Sequence, residues 1–270
     1  MGFLRVTDND LILYRYLFEQ DFLTRDQIKN FVWKDLSNGH INNRLARLTR
    51  EGYIKKHPDL SAGMGSVLMA GSGAVGLLNN DDIIERMMNL KSSFINKEKF
   101  IRAYSEREKL NFARYNHDEY LTNVRFRLEK LAKQYMSYRM LMVYNRNVGD
   151  KEEKYTRPTP DALMRTKLGT YAIELENTKK EDYRYQDKIF PGYAENDKVD
   201  IVLYICTSKS ILEAVNKNIN KYPTYDTKTR YLVVEYDKVM NLNEFVAINY
   251  EIDKIDDSME VKDKITITIS

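Results

Sequence analysis

The stretch PDALMRTKLGTYAIELENTKK, residues 160–180, decides the fold class of the second half of this chain. It holds two short, largely apolar runs, Asp161–Arg165 and Tyr171–Glu176, with a glycine between them. Short apolar runs separated by a turn residue are typical of consecutive strands. The stretch therefore predicts two neighbouring strands, with acidic residues at the outer end of each.

Three of those acids are candidates for a metal site. Residues two apart on a strand share a face, so Glu174 and Glu176 are expected side by side. If Asp161 lies on the adjacent strand, three carboxylates converge, and such a set favours a hard cation, Mg²⁺ or Mn²⁺. Lys179 and Lys180 follow the second strand and are placed to neutralise a phosphate. The alternative is an exposed edge strand whose acids form salt bridges with Arg165 or Lys167.

Outward from this stretch, helical and strand periods alternate over residues 117–270. The predicted elements are a helix at Asp118–Tyr135, a strand at Met140–Tyr144, the two strands above, a helix near Lys180, a strand at Val199–Cys206, a helix at Ser210–Asn220, a strand at Tyr231–Tyr236 and the terminal strand ITITIS. We therefore expect an α/β (α+β) domain of αβββαβ order there. The acidity of Glu244–Asp263 suggests no function.

Residues 1–78 predict a winged helix-turn-helix. The three helices are indicated by Leu13 and Leu17 after a cap at Asp8 or Asn9, by a capping box of Thr24 and Gln27, and by Ile41, Leu45 and Leu48 followed by Gly52. A hairpin from Tyr53 to Met69, with a glycine-containing tip at Ser61–Ser66, completes the unit. Residues 79–116 are polar and helix-prone, and we expect a helical connector.

The third helix and the hairpin carry the candidate DNA-binding residues. From Gly39 to Lys56 the sequence has five basic residues and one acidic one. Arginine and asparagine side chains make bidentate contacts with guanine and adenine edges, and lysines contact phosphates. The predicted DNA-binding set is Asn42, Asn43, Arg44, Arg47, Arg50, Lys55 and Lys56. The alternative is a winged helix that binds an acidic protein surface.

The proline before Asp161, the acid-x-acid motif and the αβββαβ order resemble the PD-(D/E)xK, or restriction-endonuclease-like, fold. Over nearly its whole length, including NHDEYLTNVRFRL (residues 116–128), the chain resembles the replication-relaxation family of plasmid and mobile-element proteins, which includes tyrosine-less mobilisation relaxases. The resemblance implies that Asp161, Glu174 and Glu176 bind the metal and that His117 and Lys188 are catalytic. Glu176 stands where the nuclease motif has lysine, which leaves the transition-state cation unassigned.

Read alone, His117 is also compatible with a half-buried histidine satisfied by a backbone carbonyl near a helix start. Tyr183, Tyr185 and Tyr193, which follow the acid-x-acid motif, are expected to serve packing.

The resemblance implies a DNA-binding protein of plasmid or mobile-element replication or mobilisation that nicks DNA at a specific site with Mg²⁺ or Mn²⁺. The alternative is an inactive nuclease fold that acts as a replication initiator or transcription regulator. Expected partners are double-stranded DNA, a second copy in a homodimer and other replication or mobilisation proteins.

The amino-acid composition bears on nucleic-acid binding, disulfides, zinc sites and the cellular compartment, but it does not identify the function. The 270 residues carry a net charge of only +3, which neither requires nor excludes nucleic-acid binding. One cysteine excludes a disulfide framework, and three histidines without a CxxC motif argue against a structural zinc site. We expect a cytoplasmic protein, because no signal-like or 18-residue uncharged apolar segment is present.

Overall fold

The computed structural model describes residues 5–57, 66–90, 114–147, 154, 158–221, 230–241, 244–252 and 259–268. Over these residues the chain is a mixed α/β protein with two sheets. It divides into two compact units, the first formed by Met1–Thr122 with Met142–Asn147 and the second by Asn123–Leu141 with Val148–Ser270.

The first unit combines helices with a small antiparallel sheet of order β1-β3-β2. Its elements are α1 (Asp8–Glu19), β1 (Leu23–Thr24), α2 (Arg25–Gln27, continued by a π-helical turn at Ile28–Val32), α3 (Asn38–Arg50), β2 (Ile54–Lys56), β3 (Val67–Ala70), α4 (Ser72–Gly76) and α5 (Asp81–Leu90). Most of the predicted tip, up to residue 65, lies outside the described residues.

Local signals start and stop these helices. The predicted capping box of Thr24 and Gln27 is confirmed, with Thr24 N–H donating to Gln27 Oε1 at 2.9 Å. The predicted cap of α1 at Asp8 or Asn9 is wrong, because Thr7 caps that helix in a second capping box with Asp10. Gly52 follows α3 with φ of 75°, a conformation that glycine adopts without steric cost.

The first unit's core includes every apolar side chain predicted to face inward from α1 and α3. These buried residues are Leu13, Tyr14, Leu17, Phe18, Ile41, Leu45 and Leu48. Helix α5, within the predicted connector, packs on α1, and its Met87 carbonyl accepts from Arg15 Nη1 at 3.0 Å. Ile84 and Met87 of this helix therefore join the core of the unit, and residues 91–113 lie outside the described part.

The remaining elements are helices and the seven strands of a mixed sheet, whose order is β10-β9-β8-β7-β6-β5-β4. They are α6 (Tyr115–Leu128), β4 (Gln134–Ser137), α7 (Tyr138–Asn147), β5 (Ala162–Arg165), β6 (Thr170–Glu176), α8 (Asp182–Arg184, continued by a π-helical turn at Tyr185–Ile189), α9 (Phe190–Ala194), β7 (Ile201–Cys206), α10 (Lys209–Lys221), β8 (Arg230–Glu235), α11 (Tyr236–Asn241), β9 (Glu244–Ile252) and β10 (Met259–Thr268).

Strand β6, which carries two of the candidate acids, is central in this sheet. It pairs antiparallel with β5 and parallel with β7, and β7 pairs parallel with β8. All seven residues of β6 are buried. The alternative of an exposed edge strand with surface salt bridges is therefore wrong.

The predicted αβββαβ order needs one correction at its start. Met140–Tyr144, predicted as a strand, lies in helix α7, and the predicted helix to Tyr135 ends at Leu128. The first strand is instead Gln134–Ser137. A short apolar run such as MLMVY fits a buried strand and a buried helical turn equally well, so periodicity alone does not separate them.

The turn between β5 and β6 sets the register that positions the acids. Gly169 has φ of 136°, and a Cβ there would lie 2.6 Å from Asp200 Oδ2. That same carboxylate oxygen accepts from Thr170 N–H at 2.7 Å. In the resulting register Ala162 faces Ile173, so the residue before β5, Asp161, falls opposite Glu174.

Candidate functional site

Asp161 and Glu174 meet across the β5–β6 hairpin. Asp161 Oδ2 accepts a hydrogen bond from Leu175 N–H at 2.9 Å, which fixes its carboxylate beside β6. Leu175 lies between the two glutamates of the acid-x-acid motif. The predicted adjacency of the two acid-bearing strands is thus present in the fold.

Glu174 is a buried acid that holds a proton near neutral pH. Its side chain accepts a hydrogen bond from the hydroxyl of Tyr193. Burial, followed by the neighbouring charge of Asp161, raises the pKa of Glu174 to about 8, although Lys180 and the Tyr193 hydrogen bond act in the opposite direction. The carboxyl group is therefore neutral near neutral pH, first because it is buried and second because Asp161 lies beside it.

Glu176 is the charged partner of Lys180. The Lys180 ammonium, four residues further along, contacts Glu176 Oε1. Glu176 is 1% exposed, whereas the Lys180 side chain is 20% exposed, so the ammonium reaches from solvent to the buried carboxylate. The pair stands at the carboxyl end of β6, the edge where parallel strands of α/β proteins usually present their ligand sites.

Buried tyrosines and one thiol complete the surroundings of these acids. Tyr185 and Tyr204 are fully buried, and within the described structure their hydroxyls have no hydrogen-bond partner. Cys206 faces Glu176 in the parallel register of β6 and β7. Burial, with a smaller contribution from Glu176, raises the pKa of Cys206 to about 12, so the thiol stays neutral. The donors suited to a cation here are therefore carboxylate oxygens.

Asp161 and Glu174 are the acids whose positions across the hairpin could hold a cation. In the part of the chain that the structure describes, no group of three or more His, Cys, Asp or Glu side chains is arranged to hold one ion. Glu176 is engaged by Lys180, and the three-ligand arrangement stays a prediction. Mg²⁺ is usually bound through one or two carboxylates and keeps several waters, which suits Asp161 and Glu174 facing each other.

The two residues added by family resemblance have contacts of their own. His117, in the first unit, has Nδ1 3.2 Å from Asp118 Oδ1. Lys188 is exposed, and its ammonium lies 5.9 Å from the ring centroid of Tyr183. The contact between an ammonium and the acids is made by Lys180, while the catalytic roles of His117 and Lys188 stay predictions.

Most residues of the predicted DNA-binding set are exposed, and two of the set, Arg44 and Asn42, form side-chain hydrogen bonds with residues of other helices of the first unit. Asn43, Arg47 and Arg50 on α3 and Lys55 and Lys56 on β2 are exposed.

Arg44 is paired with a buried acid of the first unit. Its Nε donates to Asp10 Oδ1 at 2.9 Å, Asp10 is 1% exposed, and the Arg44 side chain is only 16% exposed. The buried carboxylate of Asp10 requires a partner, so Arg44 has a structural role, and its contact with DNA stays a prediction.

Asn42 is also engaged, by a residue that the sequence did not single out. Arg25 donates to Asn42 Oδ1 through Nε at 3.0 Å and Nη2 at 2.6 Å. The available signal was the position of Arg25 in the sequence. It directly follows Thr24, the cap of α2, and so begins the helix that precedes α3.

No protein-family model matches the chain, and comparisons with curated proteins and with solved structures return no match. Within the described residues, no helix combines the length and the apolar character needed to cross a membrane.

Proposed function

We propose that the chain is a metal-dependent DNA-nicking enzyme of plasmid or mobile-element replication or mobilisation. In this proposal the first unit is a winged helix that binds duplex DNA, and the second is a PD-(D/E)xK-like nuclease domain. The observation that carries it is the placement of Asp161 opposite Glu174, with Lys180 on Glu176, where β6 ends beside a parallel strand.

The winged-helix interpretation is supported by the order of elements in the first unit. Helix, short strand, two helices and a two-stranded return, with the first strand pairing onto the last, is the arrangement that such domains share. The exposed cations of α3 and β2 lie on elements that typically contact the major groove and the phosphate backbone.

The chemistry follows from the acids and the lysine. When bound, a hard divalent cation polarises a phosphoryl oxygen and lowers the pKa of an attacking water. Asp161 and Glu174 are the residues that would hold it, and Glu174 must first release its proton. Lys180, partly exposed beside them, is placed to neutralise charge on the phosphate, as Glu176 occupies the position of the motif's lysine.

A second candidate function is a DNA-binding initiator or regulator that has lost cleavage. It is favoured because two of the acids already have partners within the chain. Glu174 accepts a hydrogen bond from Tyr193, and Glu176 forms an ion pair with Lys180. In this version the buried polar cluster would stabilise the sheet. Both candidates share the winged helix and differ only in whether the acids act on phosphate.

The two candidates are separated by isosteric substitutions of the acids. We expect Asp161→Asn and Glu174→Gln to keep duplex affinity within severalfold and to abolish conversion of supercoiled plasmid to open circle in Mg²⁺ or Mn²⁺. The substrate is plasmid carrying the origin of the protein's own element. Unchanged nicking by both variants contradicts the proposed site, because the cleavage would then arise elsewhere in the chain or from a contaminant.

A further inference from the structure

A groove of about 470 Å³ lies between helix α3 and the small sheet of the first unit. The α3 residues that line it are spaced i, i+3, i+4, i+7 and i+8, so they form one helical face. The buried Leu45 and Leu68 and the more exposed Arg25, Arg50 and Lys56 are among its lining residues. We call it the Arg25 groove.

The charge of the Arg25 groove specifies an anionic occupant. Three cations line it, and no acidic side chain does so within the described part of the chain. Arg50 contacts Glu51 at 3.4 Å, but both side chains are exposed, at 73% and 39%, and such a surface pair contributes little. The cations therefore remain uncompensated by the groove itself, which favours a phosphate-rich partner.

The absence of aromatic residues distinguishes the kind of nucleic acid. Proteins that bind single strands combine a basic groove with aromatic side chains on which the bases stack. None of the described residues that line the Arg25 groove is aromatic. The groove thus fits the sugar-phosphate backbone of a duplex, whose bases are already stacked.

Arg25 is held in place from two sides. Its backbone N–H donates to Ser66 O at 3.1 Å, and its guanidinium donates twice to Asn42 Oδ1. A guanidinium has five N–H donors in a planar fork, and such forks match the geometry of phosphate oxygens. The bond to Asn42 uses only part of this capacity and fixes the plane of the fork.

We propose that the Arg25 groove seats one phosphodiester strand of duplex DNA, with Arg25 and Lys56 contacting phosphate. Asn42 is then a positioning residue for Arg25, and it does not read a base. Lys55, the neighbour of Lys56 on β2, points to the opposite face of the strand and makes no such contact. This inference rests on the proposed DNA-binding function of the first unit and names the surface that performs it.

The test is a salt series of duplex binding by the full chain, measured by fluorescence anisotropy. We expect Arg25→Ala and Lys56→Ala each to weaken binding about tenfold at low salt and to make the slope of log K against log salt shallower by about one unit. Lys34→Ala is the matched control, because this exposed lysine of the first unit neither lines the Arg25 groove nor belongs to the predicted DNA-binding set. It should stay within twofold of wild type. Arg25→Lys should keep the wild-type slope, which separates loss of the contact from misfolding.

The positioning role of Asn42 is tested by a double-mutant cycle. Asn42→Ala should weaken binding in the wild-type background, add little in the Arg25→Ala background and leave the preference for a specific over a scrambled duplex unchanged. Loss of that preference with an unchanged salt slope would show that Asn42 reads a base and overturn the positioning role.

The outcomes separate this inference from the proposed function. If Arg47→Ala weakens duplex binding while Arg25→Ala and Lys56→Ala do not, the Arg25 groove is not the phosphate site, although DNA binding by the first unit stands. If the wild-type chain binds no duplex, both fail. Equal binding of single-stranded and duplex DNA overturns the assignment of a duplex.

Discussion

Asp161 receives the backbone N–H of Leu175 at 2.9 Å, and through this one bond its carboxylate is fixed beside the two glutamates of β6. The consequence is electrostatic. Burial, followed by the neighbouring Asp161, makes a charge on Glu174 unfavourable and raises the pKa of Glu174 to about 8. The cluster is therefore sensitive both to pH and to substitution of either acid.

Replacing Glu174 should change how stability depends on pH. The folded-state pKa of Glu174, about 8, lies above its ordinary value of 4.5, so between these values the folded chain holds a proton that the unfolded chain has released. Its contribution to the free energy of unfolding is complete below pH 4.5 and declines, by up to about 1.4 kcal/mol per pH unit, until pH 8. Glu174→Gln removes this decline.

Urea unfolding of wild type and Glu174→Gln from pH 5.5 to 8.5 measures the effect. The variant should gain stability relative to wild type as the pH rises, with no further gain above about pH 8. Glu213→Gln, an exposed glutamate of the same unit, serves as the control and should show a nearly constant difference. A pH-independent difference for Glu174→Gln contradicts the raised pKa.

Arg44 is expected to matter for stability and not for the salt dependence of DNA binding. Arg44→Ala leaves the buried carboxylate of Asp10 without its cation, and removing one partner of such a pair costs about 3 kcal/mol. The exposed Arg47→Ala should cost less than about 0.5 kcal/mol. The urea midpoint of each variant checks this, and an unshifted midpoint for Arg44→Ala would refute the structural role.

Lys180, in preference to Lys188, should supply the cation of the candidate site. In the nicking assay Lys180→Ala should lower the rate by about 10² or more, because it removes positive charge facing the phosphate. Lys188→Ala is the matched control, since that side chain is exposed and contacts Tyr183, and it should cleave at close to the wild-type rate. The reverse ranking would favour the lysine that the family resemblance implies.

Lys180→Arg tests whether the slower cleavage by Lys180→Ala results only from a loss of stability. Arginine keeps the positive charge next to Glu176 and should restore stability fully but the rate only in part, because its fork places the charge differently. Equal rates for the alanine and arginine variants would mean that the charge at this position takes no part in cleavage.

Much of this arrangement was predictable from sequence because it depends on local rules. Alternation on β6 placed Glu174 and Glu176 on one face, and the capping box and apolar spacing located α2 and α3. The terminal ITITIS strand was likewise confirmed as far as Thr268. These features follow from side-chain periods and backbone donors within a few residues.

Two contacts that the sequence did not predict join residues far apart along the chain. Nothing local marks Arg44 as the partner of Asp10, 34 residues away, or Arg25 as the partner of Asn42. Met140–Tyr144 was predicted as a strand because a five-residue apolar run carries no period that distinguishes strand from helix. The engagement of Glu176 by Lys180 also needed the course of the chain after β6.

The proposed enzyme is tested most directly by whether the wild-type chain breaks DNA. The measurement is the time course of supercoiled plasmid carrying its own element's origin, incubated with Mg²⁺ or Mn²⁺, beside an EDTA reaction and the Asp161→Asn variant. We expect open circle to accumulate with the wild type alone, and only when metal is present. Intact supercoiled plasmid with either ion, despite full occupancy of the duplex, contradicts the enzyme and leaves a protein that binds DNA without cutting it.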